Sequence, residues 1–204
     1  MIYKHQNGNF SENTWIFVND NTNEAIIVDP GSDMLQVFKI LNGKNVTDIF
    51  ITHGHIDHIL GLAETKNKYP NARIVAHELA NETLPDPHKN LSYLWGYPIT
   101  APKPDYTFSK QGTQIEAAGQ KWNLFHTPGH AYDHAVFLGE DGTLFGGDVL
   151  FQDGGIGRVD FEGSSPSDMS ESLKFVLNFD PKTVVHPGHG DTFLIEDAKP
   201  FFNF

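Results

Sequence analysis

The stretch that decides the fold begins as a short apolar run and ends in a cluster of polar side chains. It reads Ile49-Phe50-Ile51-Thr52-His53-Gly54-His55-Ile56-Asp57-His58. The run Ile49-Phe50-Ile51 is typical of a buried strand, and four potential metal ligands follow it within six residues. A turn that contains glycine lets these side chains converge, whereas a continued strand would send them alternately to opposite faces. The pattern therefore predicts a strand end that carries metal ligands.

Three other apolar runs end in the same way. Leu124-Phe125 leads to His130, Leu144-Phe145 leads to Asp148, and Val184-Val185 leads to His189. Because ligands in sheet proteins gather outside strand ends, these four ends can surround one cavity. The predicted metal ligands are His53, His55, Asp57, His58, His130, Asp148 and His189.

This set contains too many ligands for one metal ion. Zinc normally takes four ligands, so the set predicts two adjacent divalent ions that share Asp148 and a bridging solvent molecule. Zn²⁺ is the expected metal, with iron or manganese as alternatives. A dinuclear site of this kind is typical of hydrolytic enzymes, and Asp57 and Asp148 are the predicted catalytic residues. A lone His-x-His pair usually binds nothing, so the prediction depends on all four strand ends together.

Composition and charge exclude several other functions. The chain has 204 residues, a net charge of −12 and no cysteine. Such a negative charge, without a basic patch, argues against nucleic-acid binding and against attachment to anionic membranes. No run approaches the roughly 20 apolar residues of a membrane span, and no secretory signal is visible at the start. We therefore expect a cytoplasmic enzyme with a small-molecule substrate and a single domain over residues 1–204.

Strand and helix patterns alternate along the chain. Apolar runs predict a hairpin over Thr14–Val18 and Ala25–Val28, and Ser165-Pro166 predicts a helix start. Further strands are predicted at Arg73–Ala76, Lys121–Phe125, Ala135–Leu138, Thr143–Phe145 and Thr183–Val185. The segment Pro85–Pro104 contains five prolines. We expect it to be an irregular surface segment that either walls a pocket or serves packing or self-association.

The remaining polar candidates have two interpretations each. Asp29 either supports a ligand or caps a helix or turn. His126, His134 and His186 lie beside the ligands, and each either orients a ligand or stabilises a turn. The other histidines have no ligand-like setting and are predicted to be ordinary polar residues: His5, His77 and His88.

At these residues the chain resembles the metallo-β-lactamase superfamily. The resemblance lies in the Thr-His-x-His-x-Asp-His run, in Thr127-Pro128-Gly129-His130 and in Pro187-Gly188-His189-Gly190. It implies an α+β fold: an αββα four-layer sandwich of two mixed β-sheets with helices on the outer faces and a metal cleft at one edge. It also implies that His53, His55 and His130 bind one metal. The other metal is then bound by Asp57, His58 and His189, with Asp148 as the bridge.

Within that superfamily, one further segment resembles glyoxalase II-like hydrolases. Gly157-Arg158-Val159-Asp160-Phe161 is similar to their Gly-Arg-Thr-Asp-Phe segment. The resemblance implies that Arg158 contacts a substrate carboxylate, and a structural salt bridge is the alternative. Glyoxalase II carries an additional carboxy-terminal helical domain, whereas only fifteen residues follow His189 here. The resemblance therefore predicts a compact, single-domain form, with the use of glutathione left open.

The function predicted from these features is thioester hydrolysis of the hydroxyacylglutathione hydrolase type, by a hydroxide held between two metals. A thiol with a pKa near ~8.5 leaves without a strong general acid. A non-heme iron persulfide dioxygenase and a lactone hydrolase are alternatives on the same fold, and a metal-binding module without activity is the third. Many β-lactamases place Cys or Ser where this chain has Asp148, so a penicillin-type substrate is not expected.

Overall fold

Two six-stranded β-sheets form the centre of the structure, a computed structural model that describes residues 1–8 and 10–203. The first sheet has the order β1-β2-β3-β4-β5-β6, with β1 Ile2–Gln6, β2 Asn13–Asn19, β3 Glu24–Val28, β4 Asn45–Phe50, β5 Arg73–His77 and β6 Tyr106–Phe108. The second sheet has the order β12-β11-β10-β9-β8-β7, with β7 Thr113–Ala117, β8 Gln120–His126, β9 Ala135–Gly139, β10 Thr143–Gly147, β11 Val184–Pro187 and β12 Phe193–Leu194.

Helices cover the outer face of each sheet. They are α1 Leu35–Ile40, α2 Ile56–Ile59, α3 Leu62–Lys68, α4 Ala80–Thr83, α5 Pro166–Val176 and α6 Ile195–Ala198, with 3₁₀ turns at Ser92–Trp95 and Lys199–Phe201. In α5 the predicted start is confirmed, because the Ser165 side chain accepts a hydrogen bond from the backbone N–H of Asp168. Across residues 1–8 and 10–203, no helix combines the length and apolar character needed to cross a membrane.

Three apolar layers explain why the central strands have uninterrupted apolar runs. On β3, Ile27 faces the layer beneath α1 and α3, whereas Ile26 faces the opposite sheet. On β4, Ile49 likewise faces the layer beneath the helices, and Phe50 faces the opposite sheet. A third layer joins the second sheet to α5 and α6. Strands that are buried on both faces have no polar side to alternate with, so they read as continuous apolar runs.

Strand direction brings the site residues to one edge. β3, β4 and β5 are parallel neighbours, and β10 is parallel to β11. β8 and β10 both run antiparallel to β9, so β8, β10 and β11 share one direction. The carboxyl ends of β8, β10 and β11 therefore lie at the same edge of the second sheet, where their following loops can meet.

The α+β sandwich predicted from the resemblance is confirmed, and so are the hairpin and the predicted strands. Four further strands were not predicted from the sequence: β1, β6, β7 and β12. β1, β6 and β12 lie at or near sheet edges and are short or half-exposed, so their sequences carry only a weak apolar pattern. β7 alternates buried and exposed residues, and it forms a tight antiparallel hairpin with β8.

Candidate metal centre

All seven side chains predicted as metal ligands lie together at one edge of the sandwich. They fall into three overlapping groups whose ligand atoms lie within 4.8 Å of one another. The groups are His53, His55 and His130; His53, His58 and Asp148; and Asp57, His58 and His189. Because the groups share members, the seven residues form one continuous arrangement, which we call the His/Asp cluster.

Short loops after four strands deliver these residues. His53 and His55 lie in the turn between β4 and α2, and Asp57 and His58 lie on α2 itself. Asp148 follows β10 directly, and His189 lies just beyond β11. Gly188 passes so close to Asp148 and His58 that a Cβ atom at this position would collide with both side chains. Glycine at 188 therefore lets the β11 loop close against the cluster.

Hydrogen bonds outside the cluster fix the direction of four imidazoles. Nδ1 of His58 lies 3.0 Å from Asp29 Oδ2, and Nδ1 of His130 lies 2.8 Å from the carbonyl oxygen of Arg158. Nδ1 of His189 lies 3.2 Å from the Ser11 carbonyl oxygen, and Nδ1 of His53 lies 3.1 Å from Thr52 Oγ1. Because Nδ1 of each of these rings is hydrogen-bonded outside the cluster, its Nε2 points into the cluster.

His55 has the opposite orientation. Its Nδ1, not its Nε2, faces inward and lies 2.9 Å from His130 Nε2. Because His130 Nδ1–H donates to Arg158, His130 Nε2 accepts this hydrogen bond from His55 Nδ1–H, and with the His55 hydrogen on its Nε2 instead the two inward nitrogens would present lone pairs to one point. Two neutral imidazoles so placed can both bind a single cation.

Asp148 lies between two of these groups of donors, with His53, His55 and His130 on one side and Asp57, His58 and His189 on the other. One carboxylate oxygen lies 3.6 Å from His58 Nε2, and the other lies 3.4 Å from His130 Nε2 and 3.6 Å from His189 Nε2. Asp57 lies on one side only, with Oδ2 3.3 Å from His189 Nε2 and 3.8 Å from His58 Nε2. Asp148 is thus the carboxylate that reaches both groups.

Several inward atoms of the cluster are buried and have no hydrogen-bond partner: His53 Nε2, His58 Nε2 and Asp148 Oδ1. A buried polar atom without a partner costs about 1–3 kcal/mol, and native proteins contain few of them. Three such atoms side by side, all of types that bind divalent cations, fit a metal site. Nitrogen and carboxylate donors together suit zinc, iron or manganese.

The electrostatics of the cluster favour neutral histidines and ionised carboxylates. Burial lowers the pKa values of His53 and His55, and the neighbouring His58 and His130 imidazoles lower them further. Burial opposes ionisation of Asp148, but the charges of His58 and His130 bring its pKa well below its ordinary value. His58 and His189 are the exceptions, because the carboxylates of Asp57 and Asp148 raise the pKa of each ring despite burial. Without a cation, one imidazolium at His58 partly balances the two carboxylates, and a bound cation would take over that role.

Comparison with known proteins identifies the family. A family model described as the metallo-beta-lactamase superfamily matches residues 7–189. The chain belongs to this superfamily. With its His/Asp cluster, it is a metal-dependent hydrolase of that superfamily, and such an enzyme acts on a small molecule.

Individual relatives support a glyoxalase II-like branch of the metallo-beta-lactamase superfamily. A hydroxyacylglutathione hydrolase of Photobacterium profundum is 33% identical over 182 residues, which cover 88% of this chain and 62% of that protein. The chain thus spans about six tenths of that relative's length. The hydroxyacylglutathione hydrolase GloC of Haemophilus influenzae is 30% identical, with 95% of this chain and 94% of that protein covered. Among solved structures, the BLEG-1 B3 metallo-beta-lactamase has a TM-score of 0.91 and 30% identity, with 98% of this chain and 97% of that chain covered.

Asp29 supports the cluster from behind. Its Oδ1 accepts the backbone N–H of Thr52 at 2.7 Å, and its Oδ2 accepts the Thr52 hydroxyl at 2.6 Å and His58 Nδ1–H at 3.0 Å. One carboxylate therefore fixes both the end of β4 and the direction of a ligand. Of the two interpretations open from the sequence, the structure supports the ligand-supporting one.

His134 holds the backbone at Asp148. Its Nε2 accepts the Asp148 N–H at 3.0 Å, which places the hydrogen on Nδ1, where Thr127 Oγ1 lies 2.9 Å away. Burial lowers the pKa of His134 to about 3, so the ring stays neutral and keeps this acceptor. The other two histidines with two interpretations form hydrogen bonds within turns: His126 with the Tyr132 carbonyl oxygen and His186 with Thr192.

A cleft of about 290 Å³ opens above the cluster. Its lining comprises Phe10, His55, Ile56, Asp57, Leu91, Trp95, His130, Asp148, Phe151, Ile156, Gly157, Arg158, Phe161 and His189. Leu91 and Trp95 belong to the segment Pro85–Pro104, so this segment walls the pocket, which was one of its two predicted roles. Arg158 also lines the cleft, where both its Nε and Nη2 bond to Asp160 and its guanidinium lies 4.2 Å from the Phe161 ring.

Sequence reasoning missed two features near the site. Glu12 is fully buried, and its side chain bonds to Asn7 and Thr14 behind the cluster. Burial raises the pKa of Glu12 well above its ordinary value. Its sequence context is an ordinary polar loop, which offers no signal of burial. Phe10 was also missed, because a single aromatic residue in such a loop has no periodic pattern around it.

Proposed function

We propose that this protein hydrolyses thioesters in the manner of hydroxyacylglutathione hydrolases, with residues 1–204 acting as one domain. The observation that carries the proposal is Asp148, which lies between two groups of inward donors at the floor of a single cleft. The relatives from Photobacterium profundum and Haemophilus influenzae, both described as hydroxyacylglutathione hydrolases, support the same reaction.

In this proposal, His53, His55 and His130 hold one divalent cation, and Asp57, His58 and His189 hold a second. Asp148 would contribute to both sites, and zinc is the metal we propose first, with iron or manganese as alternatives. When bound, the two cations supply Lewis-acid chemistry, which activates water and polarises a carbonyl oxygen. Asp29 and His134 keep His58 and Asp148 in position for this role.

The carboxylates of the cleft explain the choice of leaving group. Asp57 and Asp148 both have pKa values below the ordinary value despite burial, because the cluster histidines favour their ionised forms. Both are therefore ionised at neutral pH and carry no proton to donate. The described lining contains no neutral carboxylic acid that could protonate an amide nitrogen. A thiolate, whose conjugate acid has a pKa near ~8.5, departs without such a donor.

A second candidate is β-lactam hydrolysis. It is favoured by the near-complete structural overlap with BLEG-1, a B3 metallo-beta-lactamase, at a TM-score of 0.91. An aspartate at 148 argues for the thioester instead, since many β-lactamases have Cys or Ser at that position.

The test is a substrate panel on protein loaded in turn with Zn²⁺, Mn²⁺ and Fe²⁺. A hydroxyacylglutathione, a lactone, a β-lactam and glutathione persulfide are assayed, the last by oxygen uptake. We expect thioester hydrolysis, lost by roughly 100-fold or more in Asp148→Asn and Asp57→Asn with the fold retained by circular dichroism. Metal-loaded wild-type protein that leaves the thioester intact would refute the proposal, and lactam turnover or oxygen uptake in that case would identify its replacement.

The cytoplasmic location stays a prediction.

A further inference from the structure

Outside the His/Asp cluster, the lining of the cleft is mostly apolar. The apolar members are Phe10, Ile56, Leu91, Trp95, Phe151, Ile156 and Phe161. They come from the loop before β2, from α2, from the segment Pro85–Pro104 and from the loop after β10. Separate parts of the chain thus contribute apolar groups to one surface, as expected of a pocket that binds an apolar ligand group.

Aromatic rings flank the cluster at both ends. The Phe161 ring lies 5.8 Å from the His55 ring, and the Phe151 ring lies 6.1 Å from the His189 ring, both edge to face. His55 belongs to one group of donors and His189 to the other. A substrate whose carbonyl lies over the cluster therefore has an aromatic surface on each side.

Trp95 and Phe10 form the rim. Their rings meet edge to face at 5.0 Å, and Trp95 remains 54% exposed. A large apolar side chain kept in water at the mouth of a cleft gains free energy when a ligand covers it. The edge-to-face contact also holds the indole in place before a ligand arrives.

Charge contributes little to recognition in this cleft. Among the described lining residues, Arg158 is the only lysine or arginine, and Asp160 already occupies two of its donors at 2.9 and 2.8 Å. A substrate carboxylate would have to compete with Asp160 in an arrangement that is open to solvent. The apolar lining is therefore the main source of selectivity.

We propose that the cleft selects thioesters with a compact apolar acyl group, aromatic or branched aliphatic, and that Trp95 and Phe10 determine this preference. The inference rests on the proposed thioester hydrolysis. A volume of about 290 Å³ is just below the range of roughly 300–1,000 Å³ for ligand pockets, so the cleft holds the acyl group while the thiol portion extends past the rim. In the reaction, water oxygen bonds to the carbonyl carbon, the C–S bond breaks, and its electron pair leaves with the thiolate. One of the two protons of the water passes to the thiolate and the other to solvent, so the products are a carboxylate, a thiol and one proton.

The experiment compares four glutathione thioesters on zinc-loaded protein: acetyl, lactoyl, isovaleryl and phenylacetyl. We expect kcat/KM for the phenylacetyl and isovaleryl esters to exceed that for the acetyl ester by roughly tenfold or more. Trp95→Ala should remove most of this preference, because it should lower kcat/KM for the phenylacetyl and isovaleryl esters far more than for the acetyl ester, whereas Trp95→Phe should restore part of it. Phe10→Leu should weaken the preference in the same direction.

Tyr97→Ala is the matched control, because Tyr97 is an exposed aromatic residue of the same segment that lies outside the described cleft lining. It should leave all four rates unchanged. Equal turnover of the four esters, or a preference for lactoyl that Trp95→Ala does not alter, would overturn the inference and leave thioester hydrolysis intact. Failure of fully loaded wild-type protein to cleave any of the four would instead remove the proposed function itself. Thermal melting of each variant checks that it is folded.

Discussion

Replacing Asp29 with asparagine tests whether a carboxylate outside the His/Asp cluster controls the hydrogen-bonding state of the predicted metal ligand His58. Asp29 accepts three hydrogen bonds, two from Thr52 and one from His58 Nδ1. Its backbone has a φ of 50°, a conformation that asparagine adopts readily. Asp29→Asn therefore adds no backbone strain and changes only the hydrogen bonding.

The expected effect follows from the donors and acceptors. With the amide oxygen toward the Thr52 N–H, the amide NH₂ faces His58 Nδ1–H, and two donors then oppose each other. His58 relieves this by moving its hydrogen to Nε2, the atom that points into the cluster. We expect one cation site to lose about 10–100-fold in affinity, or about 1.4–2.7 kcal/mol. The unfolding free energy of the metal-free protein should fall by about 1.5–3 kcal/mol, because one charge-assisted hydrogen bond is lost.

The assay is calorimetric titration of metal-stripped protein with Zn²⁺, combined with urea unfolding of the metal-free form. Asp48→Asn is the matched control, because Asp48 is another fully buried carboxylate of the same sheet and bonds to Arg73 Nε at 2.8 Å. It should lower stability and leave both zinc affinities unchanged. If Asp29→Asn also leaves both affinities unchanged while stability falls, the tautomer argument is wrong and Asp29 is only a structural support.

Three further predictions concern stability. Gly54→Ala should cost roughly 1–3 kcal/mol of unfolding free energy, because its Cβ would collide with Thr83 Cγ2; combining it with Thr83→Ser should recover part of the loss in thermal melting. His77 and His186, whose pKa values burial lowers to about 4, stay neutral in the folded state while the unfolded chain takes up protons below about pH 6.5. Stability should therefore fall as the pH drops from about 6.5 to 4, by about 2 kcal/mol for each histidine at pH 5, and His77→Gln should reduce the slope in urea titrations; an unchanged slope would contradict this assignment. Chelation should lower the melting temperature and Zn²⁺ should restore it, whereas equal melting with and without metal would argue against a cation in the cluster.

Much of the fold was readable because its strongest signals are local. The continuous apolar runs of β3, β4 and β10 reflect burial on both faces, which any sequence window over them reveals. The position of each ligand just past a strand was readable for the same reason. β1 and β12 gave no comparable signal, because each lies at the edge of its sheet and is only partly buried.

By itself, the sequence predicted which residues form the His/Asp cluster. Metal ligands must be particular side-chain types, and their placement after apolar runs is written in the order of residues. Only the tertiary structure decided how they are supported and what surrounds them. The bonds from Asp29 to His58 and from His134 to Asp148, and the meeting of Phe10 with Trp95, join residues distant in sequence or separated by turns. Local patterns do not record such contacts, because their free energy arises only once the two sheets and their loops have packed together.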